Sequence, residues 1–327
     1  MACPAGESRV LSGGDLPLSC REVMKMTKRS AAWLLLAASA MWGSSFVASK
    51  YCINSGMLQF EIVFCRFSLG TFLTALIFRK QLRRPPRSAV RTGFILGLVT
   101  SLTFTLEMFG LAMTEASKAS FLTATNIIMM PFLCALFFRV PPAQRSLLAA
   151  ALAMTGVGLL SLKEGFGGAA PGDLLLLADA ATYGINSLLL VKLAGEDSRV
   201  QISFFQFLTT AACMGVLTLI QGTGGAYTRP AVLSVLYLAA VPTVLCYLIK
   251  NFTLKYLDPV RCTLILSTES IFCAILSAVL LGERMTPRML AGAALICGGV
   301  AAEVLRPAEA PPERAAEDSQ ILTEETK

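Results

Sequence analysis

Long apolar runs, each bounded by a short polar or turn-forming stretch, dominate the chain. Ten of them are long enough to read as helices: Ala31–Ile53, Gln59–Phe78, Thr92–Met113, Ala119–Phe138, Arg145–Leu162, Gly172–Leu193, Gln201–Gln221, Ala231–Ile249, Arg261–Leu281 and Pro287–Leu305. A membrane-crossing helix needs about 20 predominantly apolar residues, and most of these runs meet that length. The connectors carry turn or charge signals, among them Pro85-Pro86, Pro141-Pro142, Gly222–Gly225 and Gly282-Glu283-Arg284. The expected fold is therefore an all-α polytopic membrane protein.

Composition supports this reading. Of 327 residues, 55% are hydrophobic and 15% charged, with a mean hydropathy of +0.65. A soluble domain carries about 25% charged residues, so an ordinary soluble enzyme, a disordered chain and a nucleic-acid binder are all disfavoured. The net charge of +7 gains meaning only from its distribution. Cytoplasmic loops hold an excess of Lys and Arg. One side of the ten-span arrangement carries Lys25, Lys28, Arg29, six residues from Arg79 to Arg91, Arg139, Arg145, Lys192, Arg199, Lys250, Lys255, Arg261 and Arg306. The other carries only Lys118, Lys163, Arg229, Arg284 and Arg288. Both termini are expected in the cytoplasm.

Residues 1–30 read as a disordered cytoplasmic extension, with Met24 and Met26 as alternative starts. Lys25–Arg29 followed by an apolar run and Ala38-Ser39-Ala40 resembles a cleavable signal peptide. The run continues through Ile53, however, which favours a retained helix. Residues 306–327, rich in Glu, Pro and Ala, read as a disordered cytoplasmic tail.

The two halves of the chain correspond at a shift of 143. Lys118 falls on Arg261, Asn126 on Glu269, Arg145 on Arg288 and Gly156-Val157 on Gly299-Val300. Near the start the shift drifts to 141, bringing Trp42-Gly43 onto Tyr183-Gly184. Residues 31–162 and 172–305 thus form two repeats of five helices. Five is odd, so the repeats are expected to enter the membrane in opposite orientations, the arrangement of many secondary transporters.

The run Trp42-Gly43-Ser44-Ser45-Phe46-Val47-Ala48-Ser49-Lys50, Arg66, Phe121-Leu122-Thr123 through Pro131-Phe132-Leu133, and Glu269 through Gly282-Glu283-Arg284 then Gly292 resemble motifs of the drug/metabolite transporter superfamily, specifically its EamA-type ten-helix transporters. The resemblance spans about residues 28–305. Departures from the family pattern include Phe137-Phe138-Arg139-Val140 in place of a glycine–glutamate pair, and Ser270 where proline is common. The resemblance implies export or exchange of metabolites or drugs, amino-acid-like compounds among them, and a bacterial inner membrane.

Ionised groups at a helix centre cost about 2.5–3.5 kcal/mol on insertion scales, so each needs a partner, water or a neutral form. Arg66, Glu107 and Asp179 lie about 10 Å from the outer helix ends and Glu269 about 12 Å from an inner one. Arg66 has two readings, a permanent bridge to Glu107 or Asp179, or a fork for a substrate carboxylate. Glu107 and Asp179 read as structural partners or proton carriers, and Glu269 as a proton-exchanging carboxyl. Asn126, the repeat mate of Glu269, offers uncharged hydrogen bonds. Trp42, Tyr183 and Asn186 form either an aromatic substrate wall or buried packing. Gln206 bonds substrate or a neighbouring helix. Lys50, Lys250 and Glu61, near helix ends, are expected to snorkel towards water.

Gly93-x-x-x-Gly97, Ala149-x-x-x-Ala153 and Ala294-x-x-x-Gly298 read as helix packing, within the monomer or at a homodimer face. Pro131 and Pro242 bend their helices, as hinges or static kinks. Histidine is absent and no two of the ten cysteines form C-x-x-C, so no catalytic triad, metal site or cofactor is expected. No phosphate-binding loop occurs, and single carboxylates spread over helices do not make a channel's selectivity ring. The leading expectation is a secondary transporter of small organic metabolites, with a lipid bilayer and a small-molecule substrate as its partners. The alternatives are a membrane scaffold or sensor without cargo and, less favoured, a membrane-integral enzyme.

Overall fold

The computed structural model describes residues 28–138, scattered positions between 148 and 159, and residues 171–304 apart from 196, 225–226, 255, 258 and 285. The expected helix Arg145–Leu162 lies almost wholly outside the described residues, as do the terminal segments 1–27 and 305–327. Ala149-x-x-x-Ala153 falls there too.

Among the described residues all regular structure is helical. The first half contains α1 (Lys28–Asn54), α2 (Gln59–Ile77), α3 (Arg87–Met113), α4 (Ala116–Thr123) and α5 (Asn126–Phe138). The second contains α6 (Pro171–Ala194), α7 (Arg199–Gln221), α8 (Arg229–Leu238), a π-helical segment Ala239–Leu245, α9 (Cys246–Thr253), α10 (Pro259–Leu266), α11 (Glu269–Leu280) and α12 (Pro287–Val304). Seven helical stretches among the described residues are long and apolar enough to cross a membrane.

Most expected boundaries agree to within a few residues. α3 starts five residues early, directly after Pro86, which stands at its N-cap. Hydropathy marks the apolar run, whereas the helix extends one polar turn further, to the point where the chain reverses.

Two expected helices are broken. Ala119–Phe138 splits between α4 and α5 at Ala124-Thr125, and Arg261–Leu281 splits between α10 and α11 at Ser267-Thr268. Neither break contains proline or glycine. Hydroxyl side chains there compete with the helical ladder. Thr125 Oγ1 donates to Leu122 O at 2.6 Å and Thr268 Oγ1 donates to Ile265 O at 2.7 Å. Ser270 Oγ donates to Ser120 O, and Ser39 Oγ to Leu266 O. These bonds satisfy carbonyls that lipid cannot. Each pair of equivalent residues is related by the shift of 143, so the same interruption occurs in both halves.

The halves interleave. α3 lies against α6 and α7, and α2 lies against α7, while α1 packs on α11 and α9. Glycines permit the closest approaches. A Cβ on Gly93 would meet Phe205 Cβ at 2.5 Å and Ile202 O at 2.8 Å, and one on Gly97 would meet Thr209 Cβ at 2.5 Å. The Gly93-x-x-x-Gly97 stripe therefore packs within the monomer, against α7. A Cβ on Gly298 would meet nothing within 4 Å.

Candidate functional site

Pro242 has no N–H to offer the carbonyl of Leu238, four residues earlier. Thr243 Oγ1 donates to that carbonyl instead, at 2.8 Å. The same oxygen accepts from Arg66 Nε at 2.5 Å. Trp42 Nε1 donates to Pro242 O at 2.8 Å. The proline thus creates a π-helical irregularity whose polar atoms hold two side chains of the other half. Arg66 is 2% exposed and its guanidinium carbon lies 4.8 Å from the Phe104 ring centroid. Among the described residues no carboxylate comes within 4 Å of it, so the direct bridge to Glu107 or Asp179 is not formed.

A cavity opens between the halves at this point. Its walls carry Trp42, Arg66, Glu107, Asn126, Asp179, Tyr183 and Glu269, seven of the nine residues singled out from sequence. Tyr247, Phe104, Thr103, Thr123, Ser45 and Phe46 complete the lining. The cavity volume is about 50 Å³, enough to hold water. Asn126 and Glu269 are the first residues of α5 and α11, the half-helices that follow the two breaks. A helix N-terminus favours negative charge. Asn126 Oδ1 and Asp179 Oδ1 are buried without a hydrogen-bond partner among the described residues. Trp42 meets the rings of Tyr183 and Tyr247 edge-on, at centroid distances of 6.4 and 5.5 Å.

Asn186 and Gln206 lie apart from the cavity lining. Asn186 Nδ2 donates to Leu96 O and Thr100 Oγ1, and Gln206 Nε2 donates to the same hydroxyl at 2.7 Å. Together they tie α3 to α6 and α7, the interhelical reading of Gln206.

Of the three residues expected to snorkel, Lys250 and Glu61 are buried instead, and Lys50 is half-buried. Lys50 Nζ donates to Leu111 O at 2.8 Å and Thr114 O at 2.5 Å, where it caps the C-terminus of α3 and complements its dipole. Lys250 is 2% exposed, with Nζ 4.0 Å from the Tyr183 ring centroid. Glu61 is 1% exposed and accepts from Leu58 N, Gly224 N and the Tyr227 hydroxyl. That last bond pushes the Tyr227 phenol above its ordinary range. In each case a second helix or loop covers what looked from sequence like a free end.

Further cross-half contacts flank the cavity. Glu283, beyond α11, accepts from Ala116 N, Ser117 N and Ser117 Oγ at 2.8, 3.0 and 2.6 Å. It caps α4 from the other half, where the N-cap residue Glu115 makes no side-chain cap. Burial, and then the charge of Glu283, raise the Glu115 carboxyl above the usual carboxylate range. Lys118 Nζ pairs with Asp173 at 2.9 Å. Losing a capping oxygen costs about 1–2 kcal/mol. Glu283→Ala is therefore expected to lower unfolding free energy in detergent by about that amount, and Glu283→Gln by less. Unchanged denaturation midpoints for both would remove the trans-cap.

Tyr247, Lys250, Thr243 and Glu283 went unmarked as site residues in the sequence reading. The shift of 143 carries Glu107 onto Lys250, a signal present in the sequence.

Comparison with known proteins agrees with the repeat. The model of the EamA-like transporter family matches residues 29–162 and again 170–303. A protein of Archaeoglobus fulgidus, described as an uncharacterized transporter, is 27% identical over 270 residues, covering 82% of this chain and 84% of its own. A solved crystal structure with 19% identity superposes with a TM-score of 0.65, over 85% of this chain and 97% of that one, which speaks for the fold alone. Two interrupted helices at equivalent repeat positions and a double match to one family model lead to one conclusion: the chain is a multi-pass membrane protein that belongs to the EamA-like transporter family.

Proposed function

We propose that the protein is a secondary transporter, an exporter or exchanger, that moves small organic metabolites across a bacterial inner membrane by alternating access. Two five-helix repeats of opposite orientation, ten crossings in all with both termini cytoplasmic, rock about the central cavity. The observation that carries this reading is the pair of helix breaks, 143 residues apart, which place Asn126 and Glu269 at the heads of half-helices on one cavity. Interrupted helices at the interface of repeats are where secondary transporters bind cargo.

The cavity as it stands is smaller than the roughly 300–1,000 Å³ of ordinary ligand pockets, so loading requires the halves to part. The remaining N–H groups of Arg66 suit an anionic substrate group. Glu107, Asp179 and Glu269 suit a cationic group or a proton. Glu269, heading α11 opposite Gly43, is the carboxyl through which a proton gradient would be coupled.

The test is a cargo screen in proteoliposomes, with and without a pH gradient. Wild-type protein is expected to move at least one small organic solute. Glu269→Gln is expected to lose about tenfold or more of gradient-driven flux while solute exchange persists. Flux that ignores the gradient removes proton coupling and leaves transport standing. A monodisperse protein that moves nothing across a broad metabolite library would leave the scaffold reading in its place.

A further inference from the structure

Lys250 is the repeat mate of Glu107, yet the two are used differently. Glu107 lines the cavity, whereas Lys250, in the last turn of α9, lies against the ring of a lining residue. Its ammonium is 4.0 Å from the Tyr183 ring centroid and 5.7 Å from that of Tyr247. Among the described residues, no carboxylate within 4 Å pairs with it. An ammonium has three donors and is strongly hydrated in water. Two aromatic rings return only part of that hydration. Nearby, Tyr183, Tyr247, Asp179 and Glu269 line one cavity, and Asp179 Oδ1 and Asn126 Oδ1 face no donor. The protein thus keeps a cation at an aromatic wall beside a cavity in which Asp179 Oδ1 lacks a partner.

We propose that the Tyr183 ring, on a cavity also lined by Asp179 and Glu269, forms an ammonium subsite that Lys250 occupies in the unloaded protein and that the ammonium of an organic amine takes over on binding. The inference deepens the transporter reading of the cavity and rests on it. Lys250 is a placeholder: its flexible four-carbon stem lets the charged end leave without moving α9. A neutral residue of similar length would leave the subsite vacant and the amine without a competitor. The ligand class is a primary ammonium attached to an apolar body, because the rest of the wall is Trp42, Phe46, Phe104 and Tyr247.

The experiment uses the full chain in detergent, with Trp42 as reporter. The protein has two tryptophans, and Trp33 is 63% exposed, so Trp33→Phe isolates the signal of Trp42 near Tyr183. Phenethylammonium chloride is titrated against this background, with 2-phenylethanol as the neutral analogue. Lys250→Met is expected to tighten phenethylammonium binding about tenfold and to leave 2-phenylethanol unaffected. Tyr183→Leu is expected to abolish ammonium selectivity with or without the lysine, and Tyr183→Phe to retain it. If Lys250→Met does not elute as a monodisperse species, Lys250→Gln takes its place under the same expectation. Equal ammonium affinity with and without the lysine overturns the proposal, as does ammonium binding that survives Tyr183→Leu. Flux of some cargo together with either result defeats the subsite alone. The expected binding pattern without flux of any solute defeats the transporter reading alone.

Discussion

Gly43→Val is expected to reduce flux to background and to lower the stability of the detergent-solubilised protein by more than any other single substitution considered for this chain. A Cβ at position 43 would lie 2.5 Å from Glu269 O and 3.0 Å from Cys273 N. Both are backbone atoms at the start of α11, and neither can rotate away as a side chain would. Overpacking costs typically about 1–3 kcal/mol where side chains can adjust. Here α1 must separate from α11, which also withdraws Glu269 from the cavity wall. Gly43→Ala already places the offending atom and should cost about 2 kcal/mol, with partial loss of flux. Gly298→Ala is the control, since a methyl there meets nothing within 4 Å. Denaturation midpoints and liposome flux together check the series. Wild-type behaviour in Gly43→Val would mean that α1 and α11 do not approach as described.

Lys118→Ala is expected to have the second largest effect. Lys118 on α4 and Asp173 in the first turn of α6 join the two halves at 2.9 Å, and the aspartate side chain is 0% exposed against 14% for the lysine. Removing one member of a buried pair leaves an uncompensated charge and costs about 3–5 kcal/mol. The loss should be greater for Lys118→Ala than for Asp173→Ala, because the stranded carboxylate is the more deeply buried partner. Its place near the N-terminus of α6 softens the loss without removing it. The double substitution Lys118→Met with Asp173→Leu should recover most of the stability, since an apolar pair of similar volume often replaces a buried ion pair at little cost. Chemical denaturation of the wild type, Lys118→Met, Asp173→Leu and the double substitution closes the double-mutant cycle. Additive effects with no recovery would show that the two side chains act independently.

Much of this arrangement could be read before any coordinates. Apolar runs located the helices of the described residues, and the shift of 143 paired Asn126 with Glu269, which indeed head equivalent half-helices on one cavity. The cost of charge in lipid was enough to single out Arg66, Glu107, Asp179 and Glu269, all four of which line that cavity. The breaks in α4–α5 and α10–α11 were not legible, because Thr125 and Thr268 are ordinary residues in a hydropathy profile. Their hydroxyls interrupt the ladder only where Ser270, Ser39 and neighbouring backbone can absorb the freed carbonyls. Asn186 and Gln206 stayed open between cavity and packing, because a polar group within a span has no address until its partner, Thr100 in both cases, is placed beside it.

The amino-acid order settled what depends on local transfer energy and on copying: membrane residence, helix positions, and the equivalence of the two halves. Water and lipid act on every residue according to its own chemistry, so those features survive without knowledge of neighbours. Which face each helix presents was decided in three dimensions. Lys50, Lys250 and Glu61 all sit near helix ends, yet one caps α3, one rests on an aromatic ring and one gathers a loop from the other half. A charged side chain takes whichever partner the packing of distant helices brings within reach, and that packing turns on close approaches such as Gly43 against Glu269.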